Sequence, residues 1–264
     1  MNRYIEVAKI TFKSQIIYRF NVISGVFLSF AGIILAYILW KAVFGQKNEI
    51  AGFSFSMMVT YYIAVAFFRR LDTTDSIVWQ ISSEIREGQF TKYIVKPMKP
   101  FYYFVAICYS KSAFVLGING IATVLYAAVF SKYFILHTNY MAYVYSALIS
   151  LFGLYFLMLL NYFIAILSFK FLDVGAFNMI KNNILEFLTG AIIPLALLPG
   201  WIQDGMKFFP FYYIYYMPTM LFMNRETDNI QMAFIVLAIW ITVMQITVSI
   251  AYNALKKDYE GVGI

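Results

Sequence analysis

Uncharged apolar stretches recur along the whole chain, and several run for eighteen residues or more. A run of that length reaches across a bilayer core of roughly 30 Å as a helix. The pattern predicts six crossings, at about 22–44, 53–70, 112–131, 141–168, 183–198 and 231–255. Composition agrees, since 62% of the residues are hydrophobic and only 12% are charged. A soluble domain carries roughly 25% charged residues, so too little charge remains here to cover a water-facing surface. The spans and their loops use the whole 264 residues, as a single transmembrane domain.

The net charge of +7 does not mark a nucleic-acid binder, because the basic residues lie between the apolar runs rather than on one patch. With the N-terminus inside, the cytoplasmic segments hold 15 Lys and Arg against 5 on the opposite side. Positive charge concentrates in cytoplasmic loops, so both termini are expected there. The first run, from Val22 to Phe44, is too long for a signal-peptide core and is expected to stay as a span. Cys108 excludes an internal disulfide and reads as a small buried hydrophobe. The lone His137 reads as a loop residue.

Residues 1–20 carry Ile5, Ala8, Phe12 and Ile16 at helical spacing, with Arg3, Lys9, Lys13 and Arg19 elsewhere on the wheel. That pattern suits an amphipathic helix in the membrane interface. In 101–131, Ser110 and Lys111 interrupt the apolar run, which places an interfacial segment ahead of the third span.

Two segments are not clean spans. In 71–100, Asp72, Thr73, Thr74 and Asp75 offer N-caps, and Ile77, Val78, Ile81 and Ile85 form one stripe. Gly88 stands where a C-cap glycine would, and Pro97 and Pro100 stiffen the approach to the third span. A short cytoplasmic helix follows, at about 75–88, presenting Glu84, Arg86 and Glu87 near its end. It reads either as a connecting loop or as a docking surface for a cytoplasmic partner. In 190–226, Pro194 and Pro199 break the fifth span, and Trp201, Phe208, Phe209, Tyr212, Tyr213, Tyr215 and Tyr216 crowd together. An aromatic belt is one reading. The other is a set of short re-entrant helices on the outer side, because irregular backbone at membrane depth survives only where protein or a wet cavity covers it. Glu186 is the acidic residue inside a predicted span, either functional or paired with Lys181 near the interface.

No G-x-x-x-x-G-K-[ST], H-E-x-x-H or G-x-S-x-G occurs, so an enzyme active site and a P-loop are excluded. Three functions remain: a membrane subunit driven by a separate ATPase, an ion-driven carrier, and a non-transporting scaffold. Paired broken helices, a pointer to secondary transporters, are missing.

The chain resembles the permease subunits of type-2 ABC exporters, which include drug and antibiotic exporters. The resemblance covers nearly the whole length. It rests on the N-terminal amphipathic helix, six spans, and Glu84-Ile85-Arg86-Glu87-Gly88 followed by Tyr93-Ile94-Val95-Lys96-Pro97. It also rests on Ile193-Pro194-Leu195, Leu198-Pro199-Gly200-Trp201, Phe209-Pro210-Phe211 and Pro218. The stretch Gln89-Phe90-Thr91 departs from it in being less apolar after the glycine, which blurs the end of the coupling helix.

The resemblance implies an all-α permease of the bacterial cytoplasmic membrane, dimeric with itself or a sister permease. Two ABC ATPase subunits would dock below it, carrying the ATP and Mg, with no cofactor on this chain. Residues 75–88 would be the coupling helix, its contacts falling on Ile81, Glu84, Ile85, Arg86, Glu87 and Gly88. Residues 199–222 would be the extracellular re-entrant segment, with Pro194, Pro199, Trp201, Phe209, Pro210 and Pro218 at the gate. Export would follow ATP-driven closure of the ATPases. The aromatic, Met-containing composition suits an amphipathic or apolar cargo such as a peptide, lipid or drug.

Overall fold

The computed structural model describes residues 2–96, 98–171, 173–227 and 230–259, and it is mostly helical. Pro97 lies outside the described residues. Helix α1 is Asn2–Ile17 and α2 is Arg19–Phe44. A small antiparallel hairpin follows, β1 Glu49–Ile50 against β2 Phe53–Ser54, with positive φ at Ala51 and Gly52 in its turn. Helix α3 spans Phe55–Leu71, opened by the Ser54 side chain accepting from the Met57 amide. Then come α4 Ser76–Arg86, α5 Thr91–Ile94, α6 Pro100–Val129, α7 Tyr140–Ile166 and α8 Gly175–Leu188. Beyond them lie α9 Gly200–Met206, α10 Tyr216–Phe222 and α11 Ile230–Leu255.

Four of these, among the described residues, are long and apolar enough to cross a membrane: α2, α6, α7 with its short extension to Phe169, and α11. They stand where four of the predicted spans were expected. Helix α3 has 17 residues and α8 has 14, both short for a crossing of their own. The span expected at 183–198 differs most. The helix begins earlier, at Gly175, and stops at Leu188. Gly190 takes φ +72, which a side chain resists, and Pro194 then starts a 3-10 turn over Leu195–Leu197.

The interruption expected at Ser110 and Lys111 is not there, because α6 is one helix of 30 residues. Ser110 donates to the Ala8 carbonyl at 2.5 Å, and Lys111 reaches the Ser76 hydroxyl at 3.2 Å. Both polar groups are satisfied sideways, so neither breaks the ladder. Helix α1 runs along the first half of α6, with Tyr4 on Tyr102 and Phe12 on Phe114. Ile5, Phe12, Ile16 and Ile17 of α1 stay exposed.

One core packs α3, α7 and α11 around the 195–222 segment; a second joins α4, which lies along α7, with residues of α6 and α11. Cys108 is buried, at 1% exposure, within the second.

Candidate functional site

Helix α4 forms because its apolar residues recur on one face. Ile77, Val78, Ile81 and Ile85 are all buried, against Phe104, Met158, Tyr162 and Ile166 among others. Its end matches the expectation: Gly88 has φ +71, and its amide donates to the Ile85 carbonyl at 3.1 Å. Phe90 is fully buried against Tyr93, Phe169 and Tyr259, so Gln89-Phe90-Thr91 turns the chain inward and the helix ends at Arg86.

The tip is divided. Glu84 faces inward, its side chain 13% exposed, accepting from Lys92 at 3.0 Å and Gln80 at 3.3 Å. Burial and this carboxylate push the Tyr93 hydroxyl up from its ordinary value. Ile81 and Ile85 anchor the helix from beneath. Outward stand Trp79 and Glu87, with Arg86 half-buried.

The start of α4 departs from the expected capping. Asp75 occupies the N-cap position without a capping bond. Asp72 instead accepts from the Thr74 amide at 2.9 Å and the Thr74 hydroxyl at 2.6 Å. Thr74 accepts from the buried Asn161 of α7 at 2.6 Å, and Asn161 takes a bond from Lys181 of α8. Lys181, its side chain 9% exposed, also reaches Asp75 at 3.2 Å, and Asn182 reaches the same oxygen at 3.1 Å. Burial alone would raise the Asp75 carboxyl; Asn182 and Lys181 outweigh it and hold it below its ordinary value. Tyr215 donates to the other Asp72 oxygen at 3.1 Å. Thr73 and Ser112 tie the same turn to α6, Ser112 donating to the Leu71 carbonyl at 2.6 Å. One polar network therefore joins the first turn of α4 to α7, α8 and the aromatic segment.

That segment runs antiparallel along α7. Phe222 meets His137 and Tyr143 beside the start of α7, Pro218 accepts from Ser146 at 2.6 Å, and Phe211 packs on Phe156. Ser146 to Phe156 is about 15 Å of helix rise. Gly153 permits the approach, since a β-carbon there would stand 3.2 Å from the Ile214 Cα. The expected gate residues separate into two groups. Pro194, Pro210 and Pro218 are buried, while Pro199, Phe209 and Trp201 are exposed, Trp201 at 78%. Trp240 holds the exposed part, donating to the Phe208 carbonyl at 2.9 Å and packing on Phe209. Tyr61 and Tyr62 fix the far side through the Gly190 and Ile192 carbonyls, at 2.7 and 2.6 Å.

Glu186 pairs with Arg69 of α3, and not with Lys181, the partner that one of its two readings gave it. Sequence reasoning did not single out Arg69, Asn161 or Tyr215 for these contacts. Asn161 carried the usable signal, as a lone amide in the apolar run Leu159-Leu160-Asn161-Tyr162-Phe163.

No significant match was found among curated proteins or among solved structures. The family model of the ABC-2 family transporter protein matches residues 30–263, so α1 lies before the matched stretch and nearly all else within it. Apolar helices of membrane-spanning length, a helix wedged beneath them and this match together establish that the chain belongs to the ABC-2 transporter family, as a membrane permease component of an ABC transporter.

Proposed function

We propose that the chain forms the translocation path of an ATP-driven exporter, as a dimer with a second permease. Two ABC ATPase subunits bind on the cytoplasmic side and carry the ATP and Mg. Helix α4 is the coupling helix, both termini are cytoplasmic, and the membrane is the bacterial cytoplasmic membrane. Six crossings are completed by α3 and by α8 with the irregular stretch after it. The buried turns at 210–222 re-enter from the outer side and close the path.

One observation carries this reading: α4 is packed along α7, and the turn that leads into it is hydrogen-bonded through Asp72 to Tyr215. Force applied at Trp79, Arg86 and Glu87 reaches the aromatic segment through a single carboxylate. An ion-driven carrier would need an uncompensated intramembrane charge, and Arg69 neutralises Glu186.

The test is co-purification of an ATPase from native membrane, with transport measured alongside. The variant Trp79→Ala/Arg86→Glu/Glu87→Lys is expected to lose ATPase association while still inserting, with Cys108 protected from thiol reagents. Unchanged association and transport in that variant would remove α4 as the docking element. Transport that persists without any ATPase and collapses with the proton gradient would favour the carrier.

A further inference from the structure

Arg70 ends α3 with its guanidinium folded across α2. It donates to the Val22 carbonyl at 3.1 Å, and a β-carbon at Gly25 would run into it. Its Nε is sealed from solvent and has no acceptor. Lys111 of α6, among the described residues, donates to the Ser76 hydroxyl at 3.2 Å. Among the described residues no carboxylate pairs with either cation. Both line an open cavity of about 600 Å³ between α1, α2, α4 and α6. The acidic side chains on the same wall are already engaged, Asp72 by Thr74 and Tyr215, Asp75 by Lys181 and Asn182. Lys181 balances Asp75, while Asp72 is held by neutral groups and keeps its charge, so Arg70 and Lys111 still leave the cavity lining net positive. Ser14, Gln15 and Asn21 add polar groups, and Ile107 and Val115 supply an apolar floor.

The cavity's depth follows from helix lengths. From Val22 to the end of α2 at Phe44 is about 33 Å of rise, and from Lys111 to the end of α6 at Val129 about 27 Å. Both are close to the roughly 30 Å of a hydrocarbon core. The cavity mouth thus lies at headgroup level. Beyond Arg70 a groove of about 440 Å³ continues between α2 and α3, lined by Leu28, Ile33 and Val65.

We propose that this cavity binds the phosphodiester headgroup of a phospholipid, held by Arg70 and Lys111, with an acyl chain in the groove between α2 and α3. A guanidinium on the cavity wall suits a phosphate oxygen through its terminal nitrogens, and the ammonium of Lys111 in the same lining adds a second point of charge. The site needs only that the chain is embedded in a bilayer; it does not depend on the ATPase partner.

The test uses the full chain purified in maltoside detergent, with unfolding followed by a thiol-reactive dye on Cys108. Phosphatidylethanolamine and phosphatidylglycerol are compared with a galactosyl diacylglycerol of the same chains and with inorganic phosphate. The unfolding midpoint is expected to rise with both phospholipids and not with the galactolipid. Lys111→Ala and Arg70→Gln are each expected to weaken the half-saturating phospholipid concentration tenfold or more. An equal shift from the galactolipid, or unchanged affinity in both variants, overturns the proposal. A full shift from inorganic phosphate alone overturns the lipid as its source. If Arg70→Gln does not fold, Lys111→Ala decides.

Discussion

Asn161→Leu is the sharpest perturbation of the polar network, because it keeps the side-chain volume and removes two bonds at once. Asn161 is 1% exposed, donates its amide N–H to Thr74 and accepts a hydrogen bond from Lys181. A neutral interhelical bond in a membrane protein averages about 0.6 kcal/mol. A bond to a charged group contributes about 1.5–3 kcal/mol. The substitution is therefore expected to cost about 2–3.5 kcal/mol. At about 2–4 °C per kcal/mol for a chain of this size, the unfolding midpoint should fall by roughly 4–14 °C. The single buried cysteine makes the assay simple, since Cys108 reacts with a fluorogenic thiol dye only when α6 separates from α4 and α7. The decisive variant is Asn161→Leu/Lys181→Met. If the cost comes from leaving the ammonium underbonded, removing the ammonium in the Leu background should cost about 1 kcal/mol less than removing it from the native chain. Additive costs, within about 0.5 kcal/mol, would refute the idea that Asn161 and Lys181 act as one unit.

Acid stability should follow Asp75. Its folded-state pKa lies below the ordinary value, so its contribution is present above the unfolded pKa of about 4 and disappears as pH falls through the folded value. Unfolding midpoints should lack an Asp75 component between pH 8 and 5, and the decline below about 4 should be shallower in Asp75→Asn. Tyr215→Phe should cost about 1 kcal/mol of stability, read by the same dye, and reduce transport further than that loss explains. Gly153→Ala should cost about 1–3 kcal/mol, because its β-carbon meets the backbone at Ile214; a neutral result would mean that the segment does not lie against α7.

The long apolar helices were legible because hydropathy alone specifies them, and α4 was legible because its stripe, charges and glycine fall at helical intervals. Gly88 adopted the positive φ its position implied. What escaped was set by contacts distant in sequence. Ser110 and Lys111 look like a break until Ala8 and Ser76 are found beside them. Asp75 looks like a cap until α8 brings Lys181 and Asn182 to it. Glu186 has a lysine five residues away, yet its partner is Arg69 of α3, which is distant in sequence. The aromatic segment announced itself by composition, but not which half would be buried; the close approach at Gly153 decides that.

The continuity of α6 has a mechanical consequence. Its 30 residues rise about 45 Å, which leaves roughly 15 Å beyond a 30 Å hydrocarbon core. Helix α1 is fastened to that protruding part through Ala8 and Tyr4. A straight rod held near Lys111, at the bilayer boundary, has arms of about 27 and 16 Å, a ratio of about 1.6. A sideways shift of about 1 Å at Pro100 would sweep the other end, at Val129, by about 1.6 Å in the opposite sense. Small displacements beneath the membrane would be enlarged on its far side with no helix having to bend.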